Sequence, residues 1–175
     1  MASHLDHQLQ EMADADSHAM LRAISRGIEK ESLRITPEGK LAQTPHPAGL
    51  GSALTHASIT TDYSEALLEF ITPVSTDIEE SLQTLENIHS FAYGELGDDM
   101  LWSASMPCIM TGDDGIPVAH YGSSNVARMK TVYRLGLGHR YGRLMQAIAG
   151  IHYNFSMPTT YWERAWQRAG SPGEL

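Results

Sequence analysis

Apolar and polar positions alternate along the chain with two different periods. Leu9, Met12, Met20, Leu21 and Ile24 recur at helical spacing and predict an opening helix, with residues 1–18 as a mobile start. Gly27 marks a change. Residues 27–35, GIEKESLRI, alternate as a strand does, which puts Glu29, Glu31, Leu33 and Ile35 on one face. PEGK (37–40) is a turn, and residues 41–58, rich in Pro, Gly, Thr and His, form an irregular excursion. ALLEFITPV (66–74) predicts a second strand with Leu67, Glu69 and Ile71 on one face, closed by Pro73.

Thr76 and Glu79 have capping-box spacing, ahead of a helical stripe of Ile78, Leu82, Leu85, Ile88, Ala92 and Leu96 that Gly97 ends. LWSASMPCI (101–109) is an apolar extended piece, and TGDDG (111–115) a turn. A helix is predicted from Asn125 with Val126, Met129, Val132 and Tyr133 inward, interrupted at Gly136 and Gly138 and resuming through Tyr141, Leu144, Met145 and Ile148. IHYNFSM (151–157) alternates again: His152, Asn154 and Ser156 face one way, and Ile151, Tyr153, Phe155 and Met157 the other. Thr160 and Glu163 would cap a last helix through Trp166. Few strands separated by helices predict one α+β domain over 1–175, with helices packed on a partial antiparallel sheet.

Composition narrows the functional classes. With 12 basic and 21 acidic side chains the net charge is −9, and no basic patch suited to nucleic acid is visible. An acidic chain can still bind a nucleotide, because backbone donors and metal ions hold phosphates. The single cysteine, Cys108, allows no disulfide within the chain, which suits a reducing compartment. No signal-peptide pattern opens the sequence and no run is apolar enough to span a bilayer, so the expected location is cytoplasmic.

Four positions stand against their surroundings. Glu29 and Glu31 place two carboxylates on one strand face, where mutual repulsion and burial both cost free energy. A hard divalent cation would offset both, and a solvated strand end is the alternative. Glu69 sits between Leu67 and Ile71 and needs a partner, either a structural salt bridge or a metal. His152 lies on the polar side of an otherwise apolar strand, as a structural residue or a participant in chemistry. Together they suggest a sheet face that collects acids and an imidazole, an arrangement suited to magnesium and ATP. There is no GxxxxGK[ST] loop and no GxGxxG after a strand. Phosphates would therefore rest on metal and on basic residues such as Arg26, Arg34, Lys130, Arg134 and Arg140. Lys130 and Arg134 share a helix face, and Tyr121 and Tyr133 could line a pocket or simply pack.

The motifs RGIEKESLRIT (26–36), LGSALTH (50–56), ITTDYSEALLEFITPV (59–74), SMPC (105–108), YGSSN (121–125), KTVYRLGL (130–137), RYG (140–142) and GIHYNFS (150–156) occur in that order. They resemble the amino-terminal part of bacterial glutamate–cysteine ligase of the proteobacterial type, over nearly the whole chain after about residue 20. The resemblance implies an incomplete glutamine synthetase-like catalytic domain, in which a curved antiparallel sheet presents acids to magnesium and ATP. It implies that ATP phosphorylates the γ-carboxylate of L-glutamate and that the amine of L-cysteine displaces phosphate, giving γ-glutamylcysteine, the first step of glutathione synthesis. Glu29, Glu31 and Glu69 fall on metal-binding positions, for Mg2+ or in its place Mn2+. His152 falls near the metal–phosphate centre as a catalytic residue, Asp62 supports the site, and Tyr133 and Arg134 fall near the cysteine pocket. Family members are longer, and their later part supplies further sheet, another metal-binding glutamate and phosphate-binding arginines. The chain is therefore expected to be a fragment, inactive without that carboxy-terminal part. A related carboxylate–amine ligase, a non-catalytic remnant that binds metal or nucleotide, and a structural protein whose acids form salt bridges remain open.

Overall fold

The computed structural model describes residues 3–170 and Gly173. Two short helices, α1 (His4–Glu11) and α2 (Ala15–Arg22), replace the single opening helix expected. The break falls at Asp14, whose carboxylate caps α2 by accepting from the Ser17 backbone N–H at 2.6 Å. Of the residues in the opening stripe, Met20 is buried whereas Leu9 is exposed.

Strand β1 (Ser25–Ile35) is the longest and runs through the middle of an antiparallel sheet with β2 (Ile59–Thr61), β3 (Leu67–Ile71), β4 (Met100–Leu101) and β5 (Ile151–Ser156). The order is β2–β3–β1, and β4 and β5 share the far side of β1, β4 at its end and β5 at its start. Most of 101–109 is irregular, and β2 lies where no strand was expected. The α+β architecture with a partial antiparallel sheet is as expected.

Alternation gives the sheet two unlike faces. On one, Leu68 and Phe70 of β3 and Ile59 of β2 are buried beneath α3 (Ile78–Glu95) with Ile88, Ala92 and Leu96. The Phe70 and His89 rings meet edge to face at 4.7 Å. Helix α3 is capped by Asp77, which accepts from the N–H groups of Glu79 and Glu80, and not by the Thr76–Glu79 box. Its first turns rise off the sheet, leaving Ile78 and Leu82 exposed. On the other face, Leu33 and Leu67 join Leu41, Tyr63, Ile116, Ala147 and Ala149 in a second core at one end, while the other end carries the acids.

Helix α4 (Asn125–Tyr141) is continuous through Gly136 and Gly138. Gly138 has a packing reason: a Cβ there would collide with the Tyr63 hydroxyl. The helix ends at Gly142, where φ is +80°, a conformation that favours glycine. Its expected inward residues Val126, Met129, Val132 and Tyr133 are exposed, and Ala127 is its buried residue. Helix α5 (Thr159–Arg168) begins at Pro158 without the Thr160 cap that was expected, and its Arg164 reaches Asp16 at 3.4 Å. Among the described residues no helix is long and apolar enough to cross a membrane.

Candidate active site

The strand register brings the expected acids together. Glu31 of β1 lies directly opposite Glu69 of β3, and Glu29 directly opposite His152 of β5. Thr60 pairs with Glu69 from the other side, so Asp62, just past the end of β2, borders the same patch. Directly opposed side chains in such a ladder begin about 5 Å apart, close enough for like charges to repel.

Burial sharpens that repulsion. The Glu31 side chain is 10% exposed. Desolvation pushes its carboxyl above the usual range and the charge of Asp62 adds to this, whereas a Gly150 hydrogen bond and His152 pull the other way. Glu69 is pushed to about 7, first by desolvation and then by Asp62, Glu31 and Glu29, with His152 opposing. Burial and neighbouring like charges thus both favour the neutral form of Glu69. The donor set is all oxygen, which a hard divalent cation prefers. As the side chains stand, no three His, Cys, Asp or Glu groups among the described residues close around one ion-sized position.

Glu31 has a second task. Its Oε2 accepts from the Gly150 N–H at 2.6 Å, while its own N–H donates to the Gly150 carbonyl at 2.9 Å. This fixes where β5 joins β1. A Cβ on Gly150 would lie 3.3 Å from His152 Nε2 and 3.6 Å from Glu31 Oε2, crowding the space between them. His152, itself exposed, holds Nε2 3.6 Å from Glu31 Oε1. Gly150 passed in the sequence as a plain lead-in to the strand. The signal was there in a glycine placed two residues before the histidine.

A cationic shelf adjoins Asp62. Tyr121 is buried, and its hydroxyl donates to the Thr61 carbonyl at 2.6 Å with the Asp62 carbonyl 3.0 Å away. Burial raises its phenol above the usual value. Lys130 Nζ and Arg134 Cζ stand over its ring at 4.9 and 4.7 Å. Arg134 Nε donates to the Asp62 carbonyl, and its Nη2 is 4.0 Å from Asp62 Oδ1. Helical spacing thus aims both cations at one aromatic platform beside the acids. Tyr133 turns outward, 64% exposed, and the fold does not bring it to the acid cluster. Arg34 belongs elsewhere, buried and paired with Asp99 at 2.7 Å. Arg26 is likewise taken up, donating to the Thr76 carbonyl at 2.7 Å.

A cavity of about 290 Å3 opens beside Glu29, lined among others by Gly27, Ile71, Asn154 and Ser156. With the acids, the imidazole and the shelf, this face combines metal-type donors, cations and space on one side of one sheet.

Known proteins share both sequence and fold with the chain. The family model described as glutamate–cysteine ligase matches residues 9–173. The glutamate–cysteine ligase of Alcanivorax borkumensis is 60% identical over 172 residues, 98% of this chain but 33% of that protein. The crystal structure of the Francisella tularensis glutamate–cysteine ligase in complex with AMP superposes with a TM-score of 0.82 at 42% identity, over 86% of this chain and 30% of that one. A bifunctional glutathione synthetase from Pasteurella multocida gives a TM-score of 0.76 at 28% identity, over 99% of this chain and 21% of its own. The chain thus spans about a third of the length of the curated relative it matches.

Proposed function

The chain belongs to the glutamate–cysteine ligase family, and from that premise we propose that its acidic sheet face forms one wall of a site where ATP drives the joining of L-glutamate to L-cysteine. The observation that carries this reading is the direct opposition of Glu31 and Glu69 across the β1–β3 ladder, with Glu69 pushed to about 7. Surrounding groups keep such a pair in place at a cost to stability, which fits a cluster meant to receive a cation.

In this reading Glu29, Glu31 and Glu69 are the residues that would hold Mg2+, or Mn2+, through their carboxylate oxygens. The ion, when bound, offsets the negative charge that builds up as a phosphoryl group passes between two anions. Glu31, held by Gly150 through Oε2, keeps Oε1 3.6 Å from His152 Nε2. His152 faces the solvent side of Glu29 and Glu31 and donates to a phosphate oxygen. Lys130 and Arg134, stacked on Tyr121, attract the carboxylate of an amino-acid substrate, and Asp62 orients Arg134. Tyr133 is exposed and takes no part until further chain covers α4. An acyl phosphate must be kept from water. All of β5 is exposed, so this wall alone cannot exclude water. In the reading, the further length that the relatives possess closes the site, and the working enzyme is cytoplasmic.

A chimera tests it. The 175-residue chain alone is expected to release no ADP dependent on both amino acids. Joined to the remaining two thirds of the Alcanivorax borkumensis relative, it should gain ADP release that requires L-glutamate and L-cysteine. Glu69→Gln in the chimera should then lower kcat by about 100-fold or more, the scale of one lost electrostatic partner. A folded chimera that keeps its activity after Glu69→Gln rejects the assignment, and turnover with other amines in place of L-cysteine would point to a related carboxylate–amine ligase.

A further inference from the structure

Glu65 is an acid outside the metal-type cluster. It sits half-buried in the turn between β2 and β3. Each of its carboxylate oxygens accepts from a main-chain N–H, Oε1 from His46 at 3.0 Å and Oε2 from His120 at 2.7 Å. Its own carbonyl accepts from Nη2 of the buried Arg34 at 3.2 Å, and its N–H donates to the Pro117 carbonyl at 3.0 Å. The main chain of Glu65 is thus fixed, and its side chain fixes two other segments.

The His46 contact staples the irregular excursion to the turn. The His120 contact bears on the cationic shelf. Residues 117–121 run antiparallel to 61–65, with a bridge between Ser64 and Val118 and with the Ala119 N–H donating to the Tyr63 carbonyl at 3.0 Å. Tyr121 follows His120 directly. It shares a small core with Ala53, Ala119 and Ala127, whose side chains are too short to clasp a ring. Polar ties at its two ends must therefore set its place. The hydroxyl is tied to the Thr61 carbonyl at 2.6 Å, and the main chain one residue before it is tied to Glu65. Both ties come from one stretch of chain. That stretch also contains Asp62, which meets Arg134, and Thr60 and Thr61, which pair with Glu69 and Leu68. Residues 60–65 thus set the distance from the acids to the shelf.

We propose that Glu65 is a positioning residue. Its carboxylate fixes the main chain at His120, this sets the Tyr121 ring, and the ring sets Lys130 and Arg134 for the carboxylate of an amino-acid substrate. The last of these steps rests on the ligase reading. Alanine at 65 removes both acceptors and leaves two main-chain N–H groups without a partner, so the ring is held by its hydroxyl end alone.

Kinetics of the chimera and spectra of the 175-residue chain provide the test. In the chimera, Glu65→Ala should raise the KM for L-cysteine about tenfold and leave the KM for ATP within about twofold, because loss of folded enzyme alone lowers kcat and moves no KM. In a Tyr121→Leu background, with no ring left to set, Glu65→Ala should change the KM for L-cysteine by less than about twofold. In the chain alone, the Lys130 side-chain methylene protons should show an upfield nuclear magnetic resonance shift from the Tyr121 ring, and Glu65→Ala should shrink it. Should Glu65→Ala not fold, Glu65→Gln, which keeps one of the two accepting oxygens, replaces it throughout. An unchanged Lys130 shift, or an equal rise in KM in both backgrounds, overturns the positioning role. Arg134→Ala separates the two ways of failing. If it raises the KM for L-cysteine and Glu65→Ala does not, the positioning role falls and the ligase reading stands. If neither raises it, the assignment of the shelf falls and takes the positioning role with it.

Discussion

Glu69 and Phe70 are neighbours on one strand and live in opposite worlds. Phe70 is fully buried against α3, edge to face with His89. Glu69 faces Glu31 across the ladder, its carboxyl pushed to about 7 by burial and by like charges. One face packs a core beneath α3, whereas the other sets like charges in opposition at one end and packs Leu33 and Leu67 into a second core at the other. Backbone hydrogen bonds serve both faces equally, so the difference lies in the side chains alone. At Glu69 and Phe70, packing and charge opposition are thus divided by the two-residue period of a strand.

That division can be broken from the stable side first. Phe70→Ala should lower unfolding free energy by about 3–5 kcal/mol, as for other large aromatic truncations in a core. Urea denaturation measures it. A loss under about 1 kcal/mol would mean that α3 does not depend on this face. Next in size is Tyr121→Leu, which removes the hydroxyl contacts to Thr61 and Asp62 and the platform for Lys130 and Arg134. It should cost about 1–3 kcal/mol in the same assay, with the salt dependence of stability altered because two cations lose their seat.

The acid side responds with the opposite sign. Glu69 has a folded-state pKa of about 7 against an ordinary 4.5, so the fold favours its neutral form. Its contribution to stability is complete below about pH 4.5 and is lost as pH rises through about 7. Glu69→Gln should therefore make the chain more stable than the parent by about 1–2 kcal/mol at pH 8, after allowance for solvent, and should flatten the decline between those limits. Glu31→Gln should show a smaller gain, because it also gives up a charged acceptor for Gly150 N–H. Denaturation at pH 5, 6.5 and 8 separates the two. A Glu69→Gln chain that is less stable than the parent at pH 8 would make the residue a structural partner.

The faces of β1, β3 and β5 were legible in the sequence because period-two alternation needs no long-range information. Glu29, Glu31, Glu69 and His152 could be placed on faces from that alone. The register that sets Glu31 against Glu69 was not legible, since an irregular excursion separates the strands and nothing local counts residues across it. Asp62 was reached through the family resemblance and Arg134 through helical spacing as well, and the geometry supplies their link through Tyr121. Gly136 and Gly138 were misread as helix breaks because glycine propensity is local, whereas Gly138 answers to Tyr63, far away in sequence. The capping residue of α3 was missed by one position, Asp77 for Thr76. The apolar residues of α4 read as inward and proved exposed, because periodicity reports a face without reporting what covers it.

Binding of Mn2+ to the 175-residue chain, followed by electron paramagnetic resonance at pH 8 and displaced by Mg2+, tests most directly whether the acid face holds a divalent cation. Saturable binding is expected, strengthened when ATP is added and weakened at least tenfold in Glu31→Gln and in Glu69→Gln. Mn2+ affinity unchanged in both variants, with their folds intact, would contradict it.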